Sequence, residues 1–181
     1  MTARPDEEVW IFGYGSLMWN PGFPYLEREP ALLRGYHRAF CLYSRHYRGT
    51  PERPGLVLGL DRGGSCRGFA YRVAERHRDE VHQYLREREL RNYVYVERLL
   101  PVNLPRDRRV RARAYVADRS HPQYVGRRPL EELAALVLQG VGINGTCADY
   151  LANTVRHLDA FGIKDSLLHE LARLVRRQQQ G

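Results

Sequence analysis

The sequence predicts an α+β fold: a mixed, barrel-like β-sheet with flanking helices. Three observations carry this. Apolar runs of strand length, rich in β-branched and aromatic residues, occupy the first two thirds of the chain. Helical periodicity occupies the last third, broken by glycines at 140, 142, 145 and 162. One helical segment is inserted between the strands, so strands and helices share one layered unit. A chain of 181 residues supplies one well-buried core and shows no break in composition, so a single domain over 1–181 is expected, with 1–8 and 176–181 as frayed tails.

The first element is the unbroken apolar run Val9, Trp10, Ile11 and Phe12, the pattern of a strand buried on both faces. Gly13 and Gly15 follow and bracket Tyr14. Glycines there permit positive φ, which would let consecutive backbone N–H groups converge on an anion or an oxyanion. Ser16 adds a hydroxyl and Tyr14 a phenol to the same concavity. By itself a Gly-x-Gly turn behind a strand is ordinary turn chemistry. Prolines at 21 and 24 then stop a long helix from starting directly behind the turn.

Residues 39–43 read as a second strand, and 44–55 as a long polar loop ending in Pro54-Gly55, of the length that is functional or floppy. Residues 56–60 and 66–73 read as two strands joined by a glycine-rich hairpin turn at 61–65, giving a meander. The segment 76–91 is the first convincing helix, with Val81, Leu85 and Glu89 on one face. A carboxylate on an apolar stripe is either paired with a cation such as Arg88 or Arg91, or held for a purpose, because burying it bare costs several kcal/mol. Residues 93–102 and 110–117 read as two more strands, and helices are expected over 129–138, 146–161 and 165–177, with Thr146 and Asp165 as caps and Pro129 in a first turn.

The net charge of +8 comes almost wholly from arginine, Lys164 being the sole lysine. A positive field draws in anionic ligands, either nucleic acid or a small carboxylate-bearing metabolite. No nucleic-acid-binding pattern is present and the arginines are spread along the whole chain, so no nucleic-acid partner is expected, and a basic nucleic-acid-binding module is the alternative from another class. No run is long and apolar enough to span a bilayer, and the first eight residues are polar and acidic, so no membrane partner and a cytoplasmic location are expected. Cys41, Cys66 and Cys147 are too widely spaced for a disulfide framework or a zinc site and are expected in or near the core.

Read together, Phe12-Gly13-Tyr14-Gly15-Ser16-Leu17 with the flanking Trp10 and Trp19 resembles the opening signature of the γ-glutamylcyclotransferase superfamily in its ChaC-like branch. Four later segments match in order. Arg48-Gly49-Thr50-Pro51 resembles the family's Arg-Gly-x-Pro loop, and Gly68-Phe69-Ala70-Tyr71 its Gly-x-Ala-Tyr strand. Arg88-Glu89 resembles the Arg-Glu pair that carries the catalytic glutamate, and Gly142-Ile143-Asn144-Gly145-Thr146 with Asp149-Tyr150-Leu151 resembles the late glycine turn and Tyr-Leu helix.

The resemblance implies an enzyme that releases 5-oxoproline and cysteinylglycine from glutathione by internal cyclisation, without a metal or other cofactor. It implies Glu89 as general acid/base and Ile11, Phe12, Gly13, Tyr14, Gly15, Ser16 and Leu17 as the substrate-holding loop, for either the oxyanion or the α-carboxylate. Tyr150 is then a hydrogen-bond donor to substrate, against the alternative of a core tyrosine. Arg48 meets the glycine carboxylate, against the alternative of one more solvated arginine. Where some relatives run Lys-Gly-Gly-Tyr, this chain has Leu90-Arg91-Asn92-Tyr93, so another γ-glutamyl amino acid or amine is the alternative substrate.

Overall fold

The computed structural model describes residues 8–91 and 94–181. Among them the elements run in the order β1 (Val9–Gly13), β2 (Glu27–Ser44), β3 (Gly55–Val73), α1 (Arg78–Glu89), β4 (Tyr95–Asn103), β5 (Arg109–Ala117), α2 (Leu130–Gln139), β6 (Val141–Gly142), β7 (Gly145–Thr146), α3 (Cys147–Ala160) and α4 (Ser166–Gln180). Single 3₁₀ turns stand at Ser16–Met18 and Glu75–His77. The expected α+β class holds. Five strands close into a barrel in the order β1-β3-β2-β4-β5, mixed because β1 is antiparallel to β3 and parallel to β5.

By its contacts the chain divides into two compact units. One comprises Met1–His37 with Arg62–Val116, the other Arg38–Asp61 with Ala117–Gly181. The strands β2 and β3 therefore run through both. In the first unit β1 is buried along its whole length, as its apolar run requires, and registers Ile11 opposite Tyr71 and Phe12 opposite Ala70. Helix α1 buries Val81 and Leu85. In the second unit α2, α3 and α4 pack on one another, burying Leu133, Val137, Leu151, Leu158, Leu168 and Leu171. Thr146 and Asp165 cap α3 and α4 as expected, their side chains accepting from the Asp149 and Leu168 amides.

Several expectations are corrected. The glycine-rich stretch 61–65 does not reverse the chain: β3 is one continuous strand of 19 residues. Gly63 and Gly64 do take positive φ, 100° and 68°, but they bend the strand in place. The Gly63 carbonyl lies 2.9 Å from Nδ1 of His37 on β2, which itself turns through Gly35 at φ 87°. The second strand begins at Glu27, not at 39, because cross-strand ion pairs of Glu27 with Arg72 and Glu29 with Arg108 support a charged half that carries no apolar alternation.

The first helix begins at Arg78, behind a 3₁₀ turn, and Pro129 sits in extended backbone just before α2. The last helix runs to Gln180, beyond the expected end at 177. The expected strand start at Tyr93 lies outside the described residues, as does most of the expected N-terminal tail. Cys41, Cys66 and Cys147 are buried thiols. No helix among the described residues is long and apolar enough to cross a membrane.

Candidate active site

The residues expected to hold substrate fall into two groups, one in each unit. The first group is built on β1 and α1. Ile11 and Phe12 are fully buried in β1, so their side chains belong to the core. Gly13 and Gly15 do not take the positive φ expected of them; Gly15 sits at φ −130° and ψ −127°. What Gly13 supplies is room. A Cβ there would lie 3.0 Å from Leu17 Cβ and 3.3 Å from the Leu17 carbonyl carbon, so it would push the folded-back turn away by a few tenths of an ångström.

The turn Ser16–Met18 is held from below by Tyr71, whose hydroxyl lies 2.7 Å from the Leu17 carbonyl oxygen and 3.1 Å from that of Met18. Burial pushes the Tyr71 phenol up to about 12, although the Arg28 guanidinium draws it the other way. It therefore stays a donor at working pH. At the head of this turn stand the amide groups of Gly15, Ser16 and Leu17. These are the first donors of a helical turn, the groups that lack an intrahelical partner.

Glu89 closes α1 with 17 % of its side chain exposed. Burial raises its carboxyl above the ordinary value of 4.5, and the Arg88 guanidinium, with Nε 3.4 Å from Oε1, opposes the rise. The ion pair considered as the ordinary explanation for Glu89 is thus present. It is outweighed by desolvation, and Arg88 makes its hydrogen bonds elsewhere. Its Nη2 donates to Ser16 Oγ at 2.8 Å, and its Nη1 to the Asn20 and Pro21 carbonyls and to the Tyr84 hydroxyl. A mostly buried carboxyl with a raised affinity for protons therefore lies beside the arginine that grips the glycine turn.

The second group is built on the loop 44–55 and the hairpin β6–β7. Arg48 is not a solvated arginine. Its Nη1 donates to the Asn144 carbonyl at 2.6 Å and the Thr146 carbonyl at 3.2 Å, and its guanidinium carbon stands 5.2 Å from the Tyr150 ring centroid. Tyr150 also meets Phe40 edge-on at 5.7 Å. The loop is not floppy either. Ile143 and Asn144 donate their amides to the His46 and Tyr47 carbonyls, and a Cβ on Gly142 would collide with both of those residues' backbones.

The ChaC-like protein family model matches residues 9–178, which takes in both groups. The chain belongs to the ChaC-like family. It is 38 % identical over 172 residues to the glutathione-specific gamma-glutamylcyclotransferase of Escherichia coli, covering 94 % of this chain and 74 % of that protein. It is 34 % identical over 176 residues to gamma-glutamylcyclotransferase 2-3 of Arabidopsis thaliana, covering 93 % of this chain and 88 % of that protein. In fold it matches a crystal structure of a gamma-glutamyl cyclotransferase specific to glutathione from yeast, with a TM-score of 0.84 at 24 % identity, covering 94 % of this chain and 96 % of that one.

Two residues of the first group escape a reading by substrate contact alone. Tyr71 looks like one more aromatic in a buried strand, and only its register opposite Ile11 places its hydroxyl under the turn. Arg88 looks like the counter-ion of Glu89, yet it spans four further groups. The available signal was the polar head of each on an otherwise buried face.

Proposed function

We propose that this protein is a γ-glutamylcyclotransferase acting on glutathione, with Glu89 as general acid/base. The observation that carries the reading is Glu89 itself, mostly buried at the end of α1, raised in pKa, and linked through Arg88 to the turn at Ser16. Membership of the ChaC-like family and the glutathione specificity in the name of the Escherichia coli relative support the substrate.

In this reading the α-ammonium of the γ-glutamyl group gives a proton to Glu89 and becomes a nucleophile. It attacks the γ-carbonyl carbon, forming the new C–N bond of the five-membered ring. The C–N bond to the cysteinyl nitrogen then breaks as Glu89 returns that proton to the departing nitrogen, and the second proton left on the ring nitrogen passes through the freed Glu89 carboxylate to the released amine, giving neutral-lactam 5-oxoproline and cysteinylglycine with an ammonium terminus. Proton transfer of this kind contributes about 10² to 10⁴ in rate. Attacking and attacked atoms belong to one molecule, so the loop mainly has to hold the glutamyl chain folded. The Gly15 to Leu17 amides and the Ser16 hydroxyl are the donors for its developing or standing negative charge.

The test is 5-oxoproline release from glutathione by purified protein without added metal, beside a Glu89→Gln variant whose fold is verified by circular dichroism. The expected result is release by the parent and a loss of about 10² to 10⁴ in kcat for the variant. A folded variant with parental activity removes Glu89 from its role. Activity on γ-glutamyl-alanine in place of glutathione moves the assignment to the second reading, a cyclotransferase for other γ-glutamyl compounds, which the name of the Arabidopsis relative leaves open.

A further inference from the structure

We propose that Arg88 is a positioning residue for this reaction: by donating to Ser16 Oγ it turns the Ser16 proton toward the substrate's anionic oxygen, and it couples that hydroxyl to Glu89. The substrate in this statement rests on the cyclotransferase reading; the coupling rests on geometry.

All three nitrogens of the Arg88 guanidinium are engaged. Nη2 donates to Ser16 Oγ at 2.8 Å. Nη1 donates to the Asn20 carbonyl at 2.8 Å, the Pro21 carbonyl at 3.2 Å and Tyr84 Oη at 3.0 Å. Nε stands 3.4 Å from Glu89 Oε1. A serine hydroxyl has one proton and two lone pairs. When an arginine N–H occupies a lone pair, the proton is turned away from the guanidinium and is left for an acceptor, and a carboxylate or oxyanion is a strong one. Without Arg88 the hydroxyl is free to spend that proton on a neighbouring carbonyl.

The same side chain fixes the wall behind the turn. Gly22 lies at φ 73° with no room for a Cβ beside the Tyr84 hydroxyl, so the 20–23 loop is seated on α1 where Arg88 grips it. Holding that loop would need only the Nη1 bonds. The Nη2 hydrogen bond and the Nε ion pair reach the two groups of the proposed chemistry, and a lysine could not make all of these contacts at once. Among the described residues, the groups that face Glu89 electrostatically are Arg88 on its own helix and the Tyr115 hydroxyl of β5. Tyr115 is held neutral by burial and by Glu97, so Arg88 supplies the charge that keeps Glu89 from rising further.

The experiment compares the parent with Arg88→Met, Arg88→Lys, Ser16→Ala and the Arg88→Met/Ser16→Ala pair. It reads 5-oxoproline release against pH, thermal stability, and the Glu89 carboxyl titration by ¹³C NMR. Arg88→Met is expected to lose roughly 10² in kcat/KM through misplacement of the turn. Its acidic limb and the Glu89 titration should both move up by about one pH unit. Arg88→Lys should restore the limb but not kcat/KM, and adding Ser16→Ala to Arg88→Met should cost nothing more.

The proposal is overturned if Arg88→Met leaves the Glu89 titration where it is in the parent. It is equally overturned if the Arg88 and Ser16 losses multiply, or if both Arg88 variants lose only thermal stability. Should the parent cyclise no γ-glutamyl compound, the function falls by itself, while the carboxyl titration still decides whether Arg88 governs Glu89.

Discussion

Glu89 illustrates how one side chain carries opposite demands. Burial favours its protonated form, so the folded chain holds its proton above the ordinary value of 4.5, where the unfolded chain has released it. Stability from this group is therefore fully present below 4.5 and is lost as pH rises through the folded value. Replacing it by the always-neutral Gln removes that loss. Glu89→Gln should melt above the parent near neutral pH, with the difference closing below the ordinary carboxylate range, as scanning calorimetry across pH would show. A variant that melts lower at neutral pH would mean that the Arg88 pair outweighs desolvation. The same shift gives the parent an ascending limb in rate above 4.5, since a base must be ionised to accept the substrate's proton.

Position of Glu89 on the apolar face of α1 was legible from its spacing to Val81 and Leu85, both buried. The pairing with Arg88 was legible too, but the other partners of Arg88 were not, because Ser16 and Asn20 are remote from it in sequence.

Elements differ in how their ends are fixed, and this ranks their sensitivity. Thr146→Ala removes a cap from α3 and should cost about 1 kcal/mol in urea unfolding. Asp165→Ala removes the cap of α4 and also the ion pair with Arg38, whose side chain is 2 % exposed, and should cost about 3 kcal/mol or more. Equal losses would mean that the buried pair adds nothing. In the hairpin β6–β7 the decisive position is Gly142, where a methyl would meet the backbones of His46 and Tyr47. Gly142→Ala should cost about 2 kcal/mol by forcing main chain apart. It should also loosen the Asn144 and Thr146 carbonyls that Arg48 grips. Gly126→Ala, at φ 75° with nothing within 4 Å, bears only the conformational term of about 1 kcal/mol.

Over the whole molecule, β2 and β3 pass through both contact units, so neither unit can lose these strands alone. A single cooperative transition is the expected outcome. Trp10 and Trp19 belong to the first unit and α2, α3 and α4 to the second, so tryptophan fluorescence and helical far-UV circular dichroism report on them separately. Coincident denaturation curves would meet the expectation of one domain, and separated curves would end it.

The sequence by itself determined β1, α1 and the capped helices of the last third, because burial periodicity and cap chemistry act over a few residues and are written locally. It also carried the family, through five motifs in order. Tertiary structure alone decided that 61–65 bends and does not reverse. The glycines permit either course, and the pairing of β3 with β2, where His37 meets Gly63, selects one. It decided that Gly13 serves close approach to Leu17 in place of positive φ, and that Arg88 spends its guanidinium on Ser16 and the 20–23 loop as well as on Glu89. A guanidinium has several donors and sequence names none of their acceptors, which are chosen by whatever the fold brings within about 3 Å.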